Sequence, residues 1–177
     1  MRCLLVLFAM AATLAAQAPQ KPPCQAKEAN QFDFWLGDWQ IKRWNRTGPG
    51  PDDWREGEAS NLITKDFNGC VVRERFSTGG RGNGESLSVW DAGAKKWRQL
   101  WVDNNGSYLN FEGEWHEDKQ AMILSLERET PRGKVIWRMV WDEITDDSIR
   151  WRYENSRDGG KTWFPTFRAE YTRRGKS

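Results

Sequence analysis

The chain has 177 residues and a formal net charge of +2, which favours a single domain with interspersed basic and acidic residues. Because the sequence contains no dense basic run, nucleic-acid binding and electrostatic docking to membranes are both disfavoured. A mean hydropathy of −0.84 suggests a weak core, but the 12 tryptophans can each bury roughly 150–250 Å² and offset that.

The first 18 residues are typical of a secretory signal peptide. Arg2 supplies the positive charge, Leu4 to Leu14 form an almost unbroken apolar run, and small residues follow. The run is too short to span a membrane, and no later segment reaches spanning length. The sequence therefore predicts a signal peptide over 1–18 and a mature protein that is exported, either periplasmic or secreted.

Two cysteines remain after removal of such a signal peptide, Cys24 and Cys70. In an oxidising compartment this pair predicts a disulfide. The disulfide would close a loop of 46 residues. For such a loop the chain-entropy model gives roughly 4 kcal/mol of stabilisation as an upper value. The alternative is two free thiols, one of them buried.

The residue pattern of the mature chain predicts a short N-terminal arm followed by β-strands. The prolines of residues 19–31 indicate a flexible N-terminal arm, and residues 27–36 could form one short turn or helix. Over 32–177, alternating runs bounded by turn residues predict ten strands. They are 38–46, 56–64, 69–77, 85–91, 96–103, 107–115, 120–129, 134–142, 147–156 and 162–173.

This pattern predicts an all-β fold. No segment has the helical period of a crossover helix, so a parallel sheet is excluded. Closing ten antiparallel strands into a barrel removes the exposed edges that an open sheet would have. We therefore expect a single antiparallel up-and-down barrel, 32–177, with a short N-terminal plug.

Aromatic residues share one face of the later strands, as Trp137 does with Met139 and Trp141, and Trp151 with Tyr153. Two interpretations remain open. The rings could form an ordinary core, or they could line a wider barrel that holds a ligand.

Polar side chains occur in phase with apolar ones on two strands. Glu74 alternates with Val72 and Phe76, while Gln99 and Asp103 alternate with Trp97 and Trp101. A buried charge costs several kcal/mol unless it is paired or hydrogen-bonded. The face of 96–103 could also be reversed, because Leu100 and Val102 occupy the other parity.

Three interpretations of these polar groups compete. Glu74 could pair with Arg75, Arg98 or Arg138. The groups could instead line a cavity and orient a ligand. Finally, Glu74 and Asp103 could form an acid/base pair of the kind used in glycoside or isomerase chemistry.

Other catalytic patterns are weak. His116 is the only histidine, which excludes a multi-histidine zinc site and disfavours a serine–histidine triad. The glycines of 79–84 lack the Gly-Lys-Ser/Thr end of a phosphate loop. The sequence thus predicts no metal, no cofactor and no catalytic residue.

The segment Ser156-Arg157-Asp158-Gly159-Gly160-Lys161-Thr162-Trp163 resembles the Asp-box hairpin of sialidases and other propellers. The chain has one copy and is too short for a propeller of at least four four-stranded blades. The resemblance therefore implies a structural turn and no enzyme activity. It implies that Asp158 and Thr162 brace a hairpin over Trp163.

The segment 32–39, with Trp35, Gly37 and Trp39, resembles the Gly-x-Trp opening of lipocalins and other calycins. In those families the tryptophan closes the barrel base and often stacks on an arginine of the last strand, here Arg168 or Arg173.

A wider resemblance covers nearly the whole mature chain. It joins that opening to 68–74, 84–87, 97–103 and 156–163, and is to an uncharacterised family of secreted bacterial lipocalin-like proteins. It implies the barrel, export and a Cys24–Cys70 pair, and it implies no reaction.

Nitrobindin-type haem barrels have a similar opening and bind iron through a histidine near the C-terminus. Here no histidine follows His116 and no cysteine follows Cys70, so haem would need Tyr153 or Tyr171 as its ligand.

The sequence therefore predicts an exported barrel that binds a small, partly apolar molecule. Trp101 and Trp137 would supply contact area, while Glu74, Gln99 and Asp103 would orient the ligand. The alternatives are a barrel enzyme using Glu74 and Asp103 as acid and base, or a structural or partner-binding domain with a filled core.

Overall fold

Ten antiparallel strands close into a barrel in the computed structural model, which describes residues 23–80 and 82–175. Each strand pairs with the next in the chain, and the last pairs with the first. The strands are β1 (Gly37–Arg46), β2 (Trp54–Asp66), β3 (Val71–Ser77), β4 (Gly84–Asp91), β5 (Lys96–Asp103), β6 (Tyr108–His116), β7 (Ala121–Thr130), β8 (Gly133–Asp142), β9 (Ser148–Ser156) and β10 (Phe164–Arg173).

The predicted fold class is confirmed, because every strand expected from the sequence is present with its ends within two residues of the predicted ones. The expected signal peptide, 1–18, lies outside the described residues. No helix among the residues described is both long and apolar enough to cross a bilayer.

Three short 3₁₀ helices precede β1 and form a plug at one end of the barrel: Pro23–Gln25, Lys27–Asn30 and Asp33–Trp35. The Phe32 ring is fully buried and meets the rings of Trp97 and Trp141 edge-on, with centroids 4.7 and 5.3 Å away. We call this end, defined by Phe32, Trp35, Trp39 and Trp97, the closed end. Part of the stretch expected to be a flexible arm is thus folded against the barrel.

Covalent and ionic contacts hold the plug in place. The expected disulfide joins Cys24 to Cys70, which lies in the turn between β2 and β3, with the two Cα atoms 4.7 Å apart. Lys65 Nζ, near the end of β2, donates to Asn30 Oδ1 at 2.9 Å and lies 2.5 Å from Asp33 Oδ1. The N-terminal segment is therefore attached to the strands that it covers.

An arginine of the last strand completes the closed end. The Arg173 guanidinium carbon lies 4.0 Å from the Trp39 ring centroid, and its Nη1 donates to the Leu36 carbonyl at 2.7 Å. Trp39 Nε1 donates to the Trp35 carbonyl at 2.8 Å. Gly37 has φ +131°, a backbone conformation that favours glycine, and a Cβ there would displace the Arg173 guanidinium from its contacts.

Candidate ligand-binding site

The half of the barrel interior away from the plug contains a cavity of about 330 Å³. We call this half the open end; the connections β1–β2, β3–β4, β5–β6, β7–β8 and β9–β10 lie at this end. The cavity lies toward the lower limit of small-molecule sites, which run from roughly 300 to 1,000 Å³. Aromatic side chains dominate its wall: Phe76, Trp101, Phe111, Trp141, Trp151, Tyr153, Phe167 and Tyr171.

A carboxyl group lies in this apolar wall. Glu74 lines the cavity but is only 7% exposed. Its Oε1 accepts a hydrogen bond from Asn61 Nδ2 at 2.7 Å, and its Oε2 accepts one from Ser86 Oγ at 2.7 Å. Burial raises the pKa of Glu74 to about 7, although the bonds from Ser86 and Asn61 oppose that shift. Glu74 can therefore hold or release a proton near neutral pH.

The interpretation in which Glu74 pairs with an arginine is wrong. Arg75 lies against Glu85, Arg98 against Asp91 and Glu112, and Arg138 against Glu154. All three belong to the outward parity of their strands, so they cannot reach the interior. Within the described part of the chain, Glu74 forms no ion pair.

Tyr171 extends the polar network around Glu74. Asn61 Nδ2 lies 3.3 Å from the Tyr171 hydroxyl oxygen. Burial and the nearby Glu74 carboxylate raise the pKa of Tyr171 well above its ordinary value, so the phenol stays neutral. Burial likewise raises the pKa of Tyr153 to about 12.

Two buried polar atoms near the cavity, Asn61 Oδ1 and Trp141 Nε1, have no hydrogen-bond partner among the described residues. Buried polar groups normally have one. Of these two residues only Trp141 lines the cavity, so its indole N–H and the Glu74 carboxyl group are the polar points at which a small molecule could be recognised.

Asp103 and Trp101 lie toward the mouth of the cavity. The face of β5 that carries Gln99, Trp101 and Asp103 points inward, as expected. The exposures show this, since Gln99 is 2% exposed and Val102, on the other face, is 43% exposed. Asp103 Oδ2 accepts from Trp101 Nε1 at 3.1 Å, and its Oδ1 accepts from the backbone N–H groups of Asn105 and Ser107. Burial would raise the pKa of Asp103, but these hydrogen bonds outweigh it and hold the pKa below its usual value.

Two residues expected at the ligand do not line this cavity. Gln99 lies between Trp97 of the closed end and Trp101, and its Nε2 donates to Ser88 Oγ at 2.9 Å. Trp137 stacks on Tyr153 at a centroid distance of 5.1 Å. Tyr153 lines the cavity, whereas Trp137 does not. Of the five predicted residues, the structure brings Glu74, Trp101 and Asp103 to one cavity.

The hydrogen-bond partners of Glu74 were not predicted from the sequence. They are Asn61 and Ser86. Asn61 alternates with the buried Ala59 and Ile63 on β2, and Ser86 shares the inward parity of β4 with Ser88. This alternation was the available signal. The strand register was also needed, since it places Ser86 directly opposite Glu74.

The turn that resembles an Asp-box connects β9 and β10. Asp158 accepts hydrogen bonds from the Ser156 hydroxyl, from the N–H groups of Lys161 and Thr162, and from the Thr162 hydroxyl at 2.6 Å. The bond from the Thr162 hydroxyl is the main reason that the pKa of Asp158 lies far below its ordinary value. The Trp163 ring lies 3.7 Å beneath the Arg138 guanidinium, outside the cavity.

No three metal-ligating side chains converge in the part of the chain that the structure covers. The site is therefore described by its aromatic wall and its two carboxyl groups.

Comparison with known proteins gives the fold and a family but no activity. The model of a family described as "Protein of unknown function (DUF1579)" matches residues 26–173. The S-type phycobiliprotein lyase CPES from Guillardia theta has a similar structure, with a TM-score of 0.53 and 13% sequence identity over 90% of this chain and 100% of that chain. No curated protein is significantly similar in sequence.

Proposed function

The chain belongs to the DUF1579 family of proteins of unknown function, and from its geometry we propose that it is an exported barrel that binds a small, partly apolar molecule. One observation carries the proposal: a cavity of about 330 Å³ with an aromatic wall contains a buried carboxyl group that lacks a cationic partner among the described residues. Small-molecule sites typically combine an apolar lining with a few placed polar groups.

The similar lyase supports the fold of such a container, since at 13% identity its likeness concerns the fold alone. The cavity itself argues against the alternative of a filled structural core. Apolar contact would come from Trp101, Trp151 and Phe167, and orientation from Glu74 and Asp103.

Export is part of the proposal. The leader-like sequence of 1–18 and the Cys24–Cys70 disulfide both suit an oxidising compartment. Expression of the full chain with its leader, followed by fractionation and N-terminal sequencing of the mature product, tests this part. Retention of the leader in the cytoplasm would contradict it.

Native mass spectrometry of the gently purified mature protein tests ligand binding. We expect a reproducible extra mass that denaturation releases. A cavity-blocking variant, Leu109→Trp, should lose that mass, because Leu109 lines the cavity. The matched control is Leu87→Trp on the outer face of β4, which should keep it. A bare polypeptide mass for the unmodified protein, together with no binding to any member of a small-molecule library, would contradict the proposal.

A second candidate function is acid/base catalysis. Glu74 and Asp103 line one cavity, and their pKa values are displaced in opposite directions, as in sites that separate an acid from a base. If the copurified molecule is a substrate, wild-type protein should change its mass on incubation and Glu74→Gln should not. Identical behaviour of the two proteins would remove this candidate.

A further inference from the structure

The charges that face the cavity all have the same sign. Glu74 and Asp103 are its only ionisable acids, and no lysine, arginine or histidine is among the described residues that line it. Asp103 is ionised at neutral pH because its pKa is lowered, and Glu74 is partly ionised. Among the described residues that line the cavity, the charged side chains would therefore repel a bound anion.

The cavity wall suits a positive charge in a second way. Eight aromatic rings line it, and Trp151 and Tyr153 are stacked with centroids 6.2 Å apart. The face of an aromatic ring attracts a cation, and desolvation in a cavity strengthens the attraction. Aromatic cages are a general means by which proteins recognise quaternary ammonium groups.

Two arginines that could approach the cavity form hydrogen bonds elsewhere. Arg43 has the inward parity of β1, but its Nε donates to the Glu58 carbonyl at 3.1 Å. Arg128, whose charge acts on Tyr153, donates through Nη2 to the Tyr108 carbonyl at 3.2 Å. Neither lines the cavity, so the Glu74 carboxylate has no internal counter-ion within the described residues.

We propose that the ligand of this cavity is an organic cation, an ammonium group on a compact apolar or aromatic body, with the charge directed toward Glu74. This inference rests on the proposed ligand-binding function and names the chemical class of the ligand. A cation would replace the lost hydration of a carboxylate that otherwise has only two neutral donors, Asn61 and Ser86. The aromatic wall would hold the apolar body.

Binding of a cation should release a proton. In the free protein Glu74 is about half protonated near pH 7, and a bound positive charge favours the carboxylate, so its proton passes to solvent. The other titratable groups that face Glu74 or the cavity do not titrate in this range: Tyr171 and Tyr153 have raised pKa values, and Asp103 has a lowered one. The affinity for a permanent cation should therefore increase as the pH rises through about 7.

Three probes with the same benzyl alcohol body and a tetrahedral para group of different charge test the inference. They are para-trimethylammonio benzyl alcohol, its neutral isostere para-tert-butylbenzyl alcohol, and the anionic para-sulfonate. None of them titrates between pH 5 and 9, so any pH dependence comes from the protein. Calorimetry in two buffers of different ionisation enthalpy measures both affinity and proton release.

We expect the cation to bind at least about tenfold more tightly than the neutral isostere at pH 8, and the anion to bind weakest. At pH 7 only binding of the cation should release protons from the protein. Roughly half a proton should be released per bound ligand, because Glu74 is half protonated when the pH equals its pKa.

The variant Glu74→Gln keeps the shape of the side chain and removes its charge. Asn61 Oδ1, which lacks a partner, can accept from the new amide after the Asn61 side chain rotates. In this variant the preference for the cation should fall to within about threefold, as only the cation–π attraction and Asp103 remain, and the proton release should disappear. Glu170→Gln, on the exposed outer face of β10, has the same change of net charge and should behave as wild type.

The possible failures are distinguishable. If the neutral isostere binds as tightly as the cation, or if Glu74→Gln keeps the full preference, the ligand class is wrong and the ligand-binding function stands. If none of the three probes binds up to millimolar concentration, both the class and a cavity open to small molecules are contradicted.

Discussion

The two ends of the barrel interior contain the same kinds of residue and use them differently. At the closed end, Phe32, Trp35 and Trp97 are at most 1% exposed and meet ring against ring. At the open end, Trp101, Trp151 and Phe167 face a cavity of about 330 Å³. The plug causes this difference, because its rings fill one half of the interior and reach no further than Trp141.

Residue type alone therefore does not distinguish a packing aromatic from a binding one. Position along the strand relative to the plug does, as β5 shows: Trp97 packs on Phe32, whereas Trp101, four residues later, lines the cavity. On this basis stability should depend chiefly on the closed end, and ligand binding on the open end.

The largest expected effect is loss of the plug ring. Phe32→Ala should lower the free energy of unfolding by about 3–5 kcal/mol, because it leaves a void between Trp35, Trp97 and Trp141. Phe167→Ala at the open end should cost only about 1–2 kcal/mol, since this ring is partly buried and already faces a cavity. Urea unfolding measures both, and equal losses would contradict the division into two ends.

The disulfide should have the next largest effect. Replacing both Cys24 and Cys70 by serine should lower the free energy of unfolding by about 2–4 kcal/mol, because the unfolded chain is no longer cross-linked. Ligand affinity of the folded fraction should not change, as neither residue lines the cavity. Reduction of the wild-type disulfide should reproduce the loss. A variant that keeps its stability but loses binding would reverse the roles assigned to the two ends.

A smaller, pH-dependent effect should distinguish Glu74. Its pKa is raised from 4.5 to about 7 on folding, so the folded state binds the proton more tightly. The stability associated with this proton is fully present below pH 4.5 and is lost as the pH rises through 7. Glu74→Gln never carries the charge. At pH 8 it should therefore be more stable than wild type by up to about 3 kcal/mol, and this advantage should vanish near pH 4.5.

Urea titrations of wild type, Glu74→Gln and Glu170→Gln at these two pH values measure that difference. Glu170 is exposed on the outer face, so its variant should show no such dependence. A Glu74→Gln advantage that is the same at both pH values would mean that the carboxyl group is not desolvated as described.

Much of this barrel follows from sequence because alternation and turn residues are local signals. They predict Glu74 on the inward face, and they put Trp101 and Asp103 on one common face of 96–103, although Leu100 and Val102 left its direction open. They could not fix depth along the barrel, which depends on how far the plug reaches. For that reason Gln99, which has the correct parity, does not line the cavity. Trp137 also has the correct parity and lies farther from the plug than the cavity-lining Trp141, but it stacks on Tyr153 and does not line the cavity.

Pairing between strands was the other missing information. The Arg75, Arg98 and Arg138 partners considered for Glu74 lie on the outer face, and the actual partners, Asn61 and Ser86, come from the two neighbouring strands. Only the register brings them to the carboxyl group. Small polar residues in phase with apolar ones on adjacent strands are therefore the sequence signal to examine in related chains.

The most direct test of the division between the two ends uses the tryptophans as reporters. A ¹⁵N–¹H correlation spectrum resolves the indole N–H groups, and para-trimethylammonio benzyl alcohol or its neutral isostere can be titrated into the sample. We predict that the Trp101 and Trp151 indole signals shift in a saturable way, while those of Trp39 and Trp97 stay in place. Shifts confined to Trp39 and Trp97, or no saturable shift of any indole, would contradict a binding cavity at the open end.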